Sequence, residues 1–205
     1  MTVTVYVEGG GNNKDTSTRC RQGFSEYCKN VAPLHPRPRI VACGGRQQAF
    51  DRFNTEVVRN KEGDLCILLV DSEGPVEATM NSIAHLQAHD GCRLPVSETL
   101  KIFLMVQAME AWFLADRNAL ATYYGAGFRR ENLPGDERRI EEISKNDLEP
   151  SLVSATRDTQ KGRYHKTRHG FALLGLIDPL KVQTGSPYAQ AFHSFLRSLP
   201  EKALN

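Results

Sequence analysis

The sequence lacks the features of a membrane-spanning or disulfide-rich secreted protein. No window of its 205 residues approaches the unbroken apolar run of about 18 residues that a membrane helix needs. The N-terminus, MTVTVYVEGG, has neither the basic start nor the apolar stretch of a secretory signal. Five cysteines are scattered along the chain without any CxxC pair: Cys20, Cys28, Cys43, Cys66 and Cys92. Such a set indicates neither a disulfide framework nor a cysteine zinc site and is typical of a reducing compartment. We therefore expect a soluble cytoplasmic protein.

A strong charge excess and the glycine motifs of nucleotide binding are also missing. Lys and Arg number 26 against 24 Asp and Glu, which gives a net charge of +2 and no overall attraction to nucleic acid or anionic lipid. The glycines of Gly9–Gly11 do not form GxGxxG, because Lys14 stands at the last glycine position, and they do not form a P-loop. The sequence has no GxSxG nucleophile elbow either. These absences argue against dinucleotide binding, intrinsic ATPase activity and covalent catalysis by serine.

Hydrophobic residues make up 40% of the chain, an ordinary globular composition, and their pattern predicts an α/β fold with a parallel sheet of about four strands. We predict strands at Thr2–Val7, Arg39–Ala42, Leu65–Val70 and Lys101–Val106. We predict intervening helices at Ser17–Val31, Arg46–Asn60, Val76–His89 and Glu110–Tyr123. Because strands and helices alternate, the strands should be parallel, with helices on both faces of the sheet.

The pattern is weaker beyond residue 125, where we predict helices only at Ser151–Thr156, Phe171–Ile177 and Tyr188–Leu199. We therefore divide the chain into an α/β core over residues 1–125 and a helical and loop appendage over residues 126–205 that packs on the core.

Carboxylates follow two of the predicted strands directly. Glu8 follows the first strand, and Asp71 and Glu73 follow the third. The carboxyl ends of parallel strands share one edge of the sheet, so the three side chains should converge there. Asp71 and Glu73 would point to the same side if the extended backbone continued past Val70. Clustered carboxylates favour Mg²⁺ or Mn²⁺, although residues 71–74 also suit a turn that caps a helix beginning near Pro75.

The segments VYVEGGG and LCILLVDSEG resemble the Toprim domain of topoisomerases, primases and OLD-type nucleases. That resemblance implies a small parallel α/β sheet and a site for Mg²⁺ that serves phosphodiester chemistry. An acidic residue after the first strand and an Asp-x-Asp pair after the third map to Glu8, Asp71 and Glu73. Glu73 departs from the pattern, since a second Asp is usual at its position.

The segments VQAMEAWFLAD and KGRYHKTRHGFALLGLIDP resemble a narrower Toprim-like bacterial family that is related to RloB proteins. Members are often encoded beside AAA-type ATPases in antiviral systems, which implies an AAA or ABC-type ATPase partner and an oligomer within a larger assembly. Glu110 and Asp116 lie in the first segment and are candidates for completing the acidic site. Packing and capping of the helix around Trp112 is the alternative role for both.

A basic segment, Arg157–His169, contains five Lys or Arg residues against one Asp. We predict that Lys161, Arg163 and Arg168 bind backbone phosphates and that a nucleic-acid base stacks on Tyr164. Lys166 is the candidate for stabilising charge at phosphorus. The alternatives for the segment are a solvated loop or a docking surface for an acidic partner.

These observations predict a Mg²⁺-dependent phosphodiesterase, most simply a nuclease acting on DNA or RNA, with Glu8, Asp71, Glu73, Glu110 and Lys166 in its catalytic site. A non-catalytic subunit that docks an ATPase or nucleic acid is the main alternative, and phosphate transfer on a small nucleotide is a third. A zinc site is a further hypothesis, because His85 and His89 are four residues apart and precede Asp90.

Overall fold

The computed structural model describes residues 2–11, 13–59, 63–91, 94 and 100–200. Its four strands are β1 (Val3–Val7), β2 (Arg39–Ala42), β3 (Leu65–Asp71) and β4 (Lys101–Met105). They form one parallel sheet in the order β2-β1-β3-β4. The predicted α/β fold is confirmed, and the strand boundaries agree with the prediction to within one residue.

The central strand β3 pairs with β1 and with β4 and lies between two layers of helices. Ile67, Leu68, Leu69 and Val70 are all fully buried. A strand covered on both faces has no solvent-facing positions, which explains why its sequence is continuously apolar instead of alternating.

Nine helices lie in the described ranges: α1 (Lys14–Val31), α2 (Arg46–Arg59), α3 (Ser82–Asp90), α4 (Met109–Ala115), α5 (Arg117–Tyr124), α6 (Lys145–Thr156), α7 (Phe171–Leu174), α8 (Pro179–Gly185) and α9 (Pro187–Arg197). In those ranges, no helix has both the length and the apolar character needed to cross a membrane. A single π-helical turn, Lys166–Gly170, leads directly into α7.

Several predicted helices differ from the structure; α6, for example, begins at Lys145 instead of Ser151, and α7 ends at Leu174 instead of Ile177. The predicted helix 76–89 begins only at Ser82, because Asn81 provides the N-cap by accepting the backbone N–H of Ala84 at 2.9 Å. The predicted helix 110–123 is divided at Asp116, which ends α4 and caps α5. Asn60, the expected end of α2, lies outside the described residues, and α8 has no counterpart in the prediction.

The C-terminal helices help to cover one face of the sheet. Phe103 of β4 has its ring centroid 5.3 Å from that of Phe192 and 5.4 Å from that of Phe195, both on α9. On the same face, α1 approaches α7 so closely that a Cβ on Gly23 would lie 2.3 Å from the carbonyl oxygen of Phe171. One apolar cluster therefore includes residues from both parts of the chain. The boundary at residue 125 stays a prediction.

The opposite face is covered by α2 and α3. Tyr6 of β1 meets Phe53 of α2 edge-on, with ring centroids 6.2 Å apart, and Leu86 of α3 is fully buried there. Since all four strands are parallel, the loops that follow them toward the helices on both faces come together at the carboxyl edge of the sheet.

Candidate functional site

Three carboxylates lie together at the carboxyl edge of the sheet. Glu8 directly follows β1, Asp71 is the last residue of β3, and Glu73 lies two residues further. One carboxylate oxygen from each residue falls within 4.8 Å of the others. The structure thus brings together the three residues that the sequence pattern places at this edge, because β1 and β3 are adjacent and parallel.

Asp71 is the buried member of this acidic cluster, with only 3% of its surface exposed. Its Oδ1 accepts the backbone N–H of Met109 at 2.8 Å, and its Oδ2 lies 3.3 Å from Lys166 Nζ. Burial raises the pKa of the Asp71 carboxyl and the charge of Glu110 adds to that effect, although Lys166 opposes it. A second cation beside Asp71 would therefore be favoured.

Glu8 is held by Arg46, the first residue of α2. Arg46 Nη1 lies 3.2 Å from a Glu8 oxygen and donates to the backbone carbonyl of Asp71 at 2.7 Å. Its Nε and Nη2 contact the two oxygens of Asp90 at 2.8 and 2.7 Å. Burial and the nearby charge of Asp71 raise the pKa of Glu8, and Arg46 partly offsets this. Sequence reasoning missed Arg46, although its place directly after Gly44-Gly45 put it at the same sheet edge.

Glu73 reaches the cluster by a different geometry from the one predicted. The strand ends at Asp71, and Glu73 has a φ of 67°, a left-handed conformation that is uncommon for a residue with a Cβ. Its backbone N–H donates to the carbonyl of Gln107 at 2.9 Å, and its carboxylate is paired with Lys145. The alternative role of residues 71–74 as a helix cap is wrong, because no helix begins near Pro75.

Lys166 lies beside the acidic cluster, between Asp71 and a further buried carboxylate, Glu110. Glu110, in the first turn of α4, is 3% exposed and accepts the hydroxyl of Tyr164 at 2.9 Å. Lys166 Nζ lies 3.5 Å from Glu110 and so bridges this carboxylate to Asp71. Burial alone would lower the pKa of Lys166, but the charges of Asp71 and Glu110 outweigh it and raise that pKa. Lys166 is therefore a cation at neutral pH.

A family model covers most of the chain, including every residue of this site. It matches residues 7–197 and is described as "Domain of unknown function (DUF4276)". The chain belongs to this family. No curated protein and no solved structure matches the chain.

The basic segment of this DUF4276 protein is only partly available to a ligand. Lys161, Arg163 and Arg168 are exposed, as binding of phosphates requires, and Lys161 Nζ lies 5.1 Å from the centre of the Tyr123 ring. Tyr164 is 3% exposed, so its predicted role as a stacking surface for a base is wrong. Its ring packs edge-on against Phe113, with centroids 6.3 Å apart, and only its hydroxyl serves the site, through Glu110.

Asp116 has a structural role in this DUF4276 chain. One of its oxygens accepts the N–H of Ala119 at 3.3 Å, and the other accepts the N–H of Asp178 at 3.0 Å. Lys181 Nζ completes the arrangement at 2.6 Å. These bonds agree with the capping alternative and leave Asp116 outside the acidic cluster.

In the described residues, His85, His89 and Asp90 are not brought together as a set of metal ligands. His85 Nε2 is bonded to the carbonyl oxygen of Ser72 at 2.9 Å, while His89 stacks on His85 with ring centroids 5.7 Å apart. Both oxygens of Asp90 are taken by Arg46. Instead of binding zinc, these residues support the backbone and the arginine beside the acidic cluster.

Proposed function

We propose that this DUF4276 protein is a Mg²⁺-dependent phosphodiesterase, and specifically a nuclease acting on DNA or RNA. The observation that carries the proposal is the approach of Glu8, Asp71 and Glu73 to within 4.8 Å of one another beside Lys166. Oxygen ligands in such a cluster suit Mg²⁺ or Mn²⁺, and both Glu8 and Asp71 have raised pKa values that a bound cation would relieve.

In this proposal the position of each residue in the site determines its role in catalysis. Glu8, Asp71 and Glu73 would hold the metal ion, which when bound would polarise a phosphodiester oxygen and lower the pKa of a water molecule. Glu8 is also more accessible than Asp71, with 24% of its side chain exposed against 4%, and is the candidate general base toward water. Lys166 would stabilise negative charge that develops on the phosphate, because it is protonated and lies at the edge of the cluster. Glu110 would position Lys166.

The wider setting that we propose rests on the resemblance of the sequence to Toprim-like and RloB-related proteins. A four-stranded parallel sheet with acidic residues after β1 and β3 supports a Toprim-like fold related to RloB proteins. With that relation we propose a cytoplasmic effector of a bacterial anti-phage defence system, working with an AAA or ABC-type ATPase and binding nucleic acid. The exposed Lys161, Arg163 and Arg168 would contribute to that binding.

A non-catalytic docking subunit is the second candidate, and one observation favours it. Each carboxylate of the acidic cluster already has a cationic side chain from the same protein: Arg46 on Glu8, Lys166 on Asp71 and Lys145 on Glu73. A site neutralised in this way has less need of a metal ion. The two candidates therefore differ in whether a divalent cation displaces these partners.

Calorimetric titration with Mg²⁺ and Mn²⁺ distinguishes the two candidates. The phosphodiesterase proposal expects binding by the wild type at millimolar concentration or below, and at least about tenfold weaker binding by Asp71→Asn, which removes one ligand charge at constant volume. Asp158→Asn is the matched control, because Asp158 is exposed and paired with Arg129 at 2.7 Å. Wild-type protein that binds neither ion would rule out the metal mechanism and favour the docking subunit.

A substitution of Lys145 is expected to increase metal affinity instead of lowering it. Lys145→Met removes the cation that competes for Glu73, so metal affinity should increase by about tenfold if this carboxylate is a ligand. Unchanged affinity in Lys145→Met, together with binding that survives in Asp71→Asn, would place the ion elsewhere.

Cleavage assays then distinguish the role of Lys166, at the phosphate, from the role of the metal ligands. We expect Lys166→Gln to lower kcat by about 10²- to 10³-fold, as for loss of one transition-state donor, while Mg²⁺ still binds. In a docking subunit, charge reversal at Arg163 and Lys166 should instead abolish binding of the ATPase partner, and Asp71→Asn should leave that binding intact.

A further inference from the structure

A second concentration of positive charge lies at the end of α4 and includes no residue of the basic segment. An open cavity of about 520 Å³ is lined by the end of α4, the start of α5, residues 136–140 and α8. Five cationic side chains line it against three carboxylates, an excess of two positive charges: Arg117, Arg130, Arg138, Arg139 and Lys181 against Asp116, Asp136 and Glu137. We call this space the arginine cavity.

The cations of the arginine cavity are held in place. Arg117 is only 8% exposed, and its guanidinium donates to the carbonyl of Gly135 at 3.1 Å and pairs with Asp136 at 2.6 Å. Arg130 donates to Asn118 at 3.1 Å and reaches Asp136 at 3.3 Å. Fixed guanidinium groups suit phosphate, because their planar donors bind its oxygens in pairs.

Arg138 and Arg139 are exposed cations of this space, as are Arg130 and Lys181. Arg138 donates to the backbone carbonyl of Glu142 at 3.1 Å, and Arg139 pairs with the Glu142 side chain at 2.6 Å. The Arg139 side chain is 71% exposed. These two arginines are therefore available to an incoming anion and contribute little to the fold.

The arginine cavity is connected to the acidic cluster. Arg139 also lines a neighbouring cavity of about 430 Å³, which contains Gln107 and the half-buried ring of Tyr188. Gln107 accepts the backbone N–H of Glu73 at 2.9 Å through its carbonyl, and its side chain accepts the N–H of Lys145 at 3.0 Å. The two cavities thus share Arg139, and Gln107, which lines the second cavity, is hydrogen-bonded to Glu73 of the acidic cluster.

We propose that the arginine cavity binds a backbone phosphate of a nucleic-acid strand whose scissile phosphate lies at the acidic cluster. The proposal rests on the phosphodiesterase function above and specifies its substrate as a polynucleotide. From Glu110 to Asp116 the chain of α4 advances about 9 Å, so a phosphate in the cavity would belong to a neighbouring nucleotide. The Tyr188 cavity, which shares Arg139 with the arginine cavity, combines the apolar side chains of Val76 and Val106 with the aromatic ring of Tyr188, on which a base could stack.

Binding of labelled oligonucleotides tests the proposal without requiring cleavage. Fluorescence anisotropy with single-stranded 20-nucleotide DNA and RNA, in Ca²⁺ and at several salt concentrations, would compare the wild type with the double variant Arg138→Ala/Arg139→Ala. We expect about tenfold weaker binding, and a plot of log affinity against log salt that is shallower by about 1.4, or about 0.7 for each lost phosphate contact.

The matched control removes two positive charges at the opposite edge of the sheet. Arg37 precedes β2 and Arg59 ends α2, and both are exposed. Arg37→Ala/Arg59→Ala has the same net charge as the test variant but should bind the oligonucleotides like the wild type. Thermal melting of both double variants should match that of the wild type.

Three results would overturn the proposal: equal losses in the test and control variants, an unchanged salt slope in the test variant, or no oligonucleotide binding by the wild type. Calorimetry with inorganic phosphate and pyrophosphate tests the alternative that the arginine cavity binds a small phosphorylated ligand instead of a nucleic-acid strand. If only these small anions lose affinity in the test variant, the cavity serves a small phosphorylated ligand and the proposal is wrong. The phosphodiesterase function fails separately, when the wild type binds no Mg²⁺ or Mn²⁺.

Discussion

The hydrogen bond from the Tyr164 hydroxyl to Glu110 allows a quantitative test of the buried polar contacts beside the acidic cluster. Tyr164 and Glu110 are each 3% exposed, and the hydroxyl donates to Glu110 at 2.9 Å. Tyr164→Phe removes this donor without changing the ring. Because a hydrogen bond to a charged group contributes about 1.5–3 kcal/mol, we expect the free energy of unfolding to fall by about 2 kcal/mol. In a chain of this size that corresponds to a decrease in Tm of about 4–8 °C.

Tyr124 is a matched control in the same part of the core. It is also 3% exposed, and both tyrosine rings contact His169, with centroids 5.6 Å away for Tyr124 and 6.4 Å for Tyr164. Within the described residues, the Tyr124 hydroxyl is buried and has no hydrogen-bond partner. Tyr124→Phe removes a buried unsatisfied group, so stability should be unchanged or should rise by about 1 kcal/mol.

Urea unfolding at pH 7, followed by fluorescence, measures both variants. Trp112 is the only tryptophan in the sequence and is fully buried, stacked on Tyr27 with ring centroids 5.0 Å apart. Its emission should therefore report loss of the core directly. Equal losses in Tyr164→Phe and Tyr124→Phe, or no loss in Tyr164→Phe, would refute the assigned role of the Tyr164–Glu110 bond.

Three further predictions concern stability. Asp116→Ala removes the cap of α5 and should cost about 2 kcal/mol at pH 7, against less than about 1 kcal/mol for Asp158→Ala, which breaks an exposed ion pair. Burial opposes ionisation of Asp116, but hydrogen bonds to its carboxylate outweigh this and lower its pKa, so its contribution should disappear only as the pH falls below about 4. Burial lowers the pKa of His193 to about 3, so the unfolded chain takes up this proton first on acidification. Urea titrations should show the wild type losing about 1.5 kcal/mol more than His193→Phe between about pH 6.5 and 5, and equal slopes would contradict this. Thermal melts should show Gly23→Ala destabilised by about 2–3 kcal/mol, because its Cβ would lie 2.3 Å from the carbonyl oxygen of Phe171. Gly175→Ala should cost less than about 1 kcal/mol, because its Cβ would lie 3.5 Å from the Cβ of Glu26, an ordinary contact distance.

The convergence of Glu8 and Asp71 was predictable from the sequence for a simple reason. Each follows a short apolar strand, and strands that alternate with helices are parallel, so their carboxyl ends meet at one edge. The position of Glu73 required the structure. Its left-handed conformation and its bond to Gln107 replace the extended backbone that the two-residue spacing suggested.

The cationic partners of the cluster were less accessible to sequence reasoning. Arg46 lies 38 residues from Glu8, and Lys145 lies 72 residues from Glu73. Lys145 follows a polar stretch without regular periodicity, and nothing in that stretch indicates which carboxylate it will reach. Lys166 was proposed from resemblance, and its contact with Asp71 spans 95 residues.

Tyr164 shows that local sequence can also suggest an exposed binding role for a residue that the fold buries. Its neighbours in sequence are basic and exposed, which made it a candidate for stacking on a nucleic-acid base. In the folded chain Phe113 covers its ring, and Glu110 accepts its hydroxyl from 54 residues away. Burial of this ring depends on how α4 packs against the segment before α7, and local composition contains no information about that packing.

The bounds of the strands, their parallel direction, the acidic edge and the basic segment were thus inferable from the chain alone, because apolar periodicity and turn residues act over a few positions. The tertiary structure decided which charges are buried, which cation neutralises each carboxylate, and which arginines surround a cavity. Desolvation and charge pairing depend on distances between residues that are remote in sequence, and only packing of the helices on the sheet sets those distances.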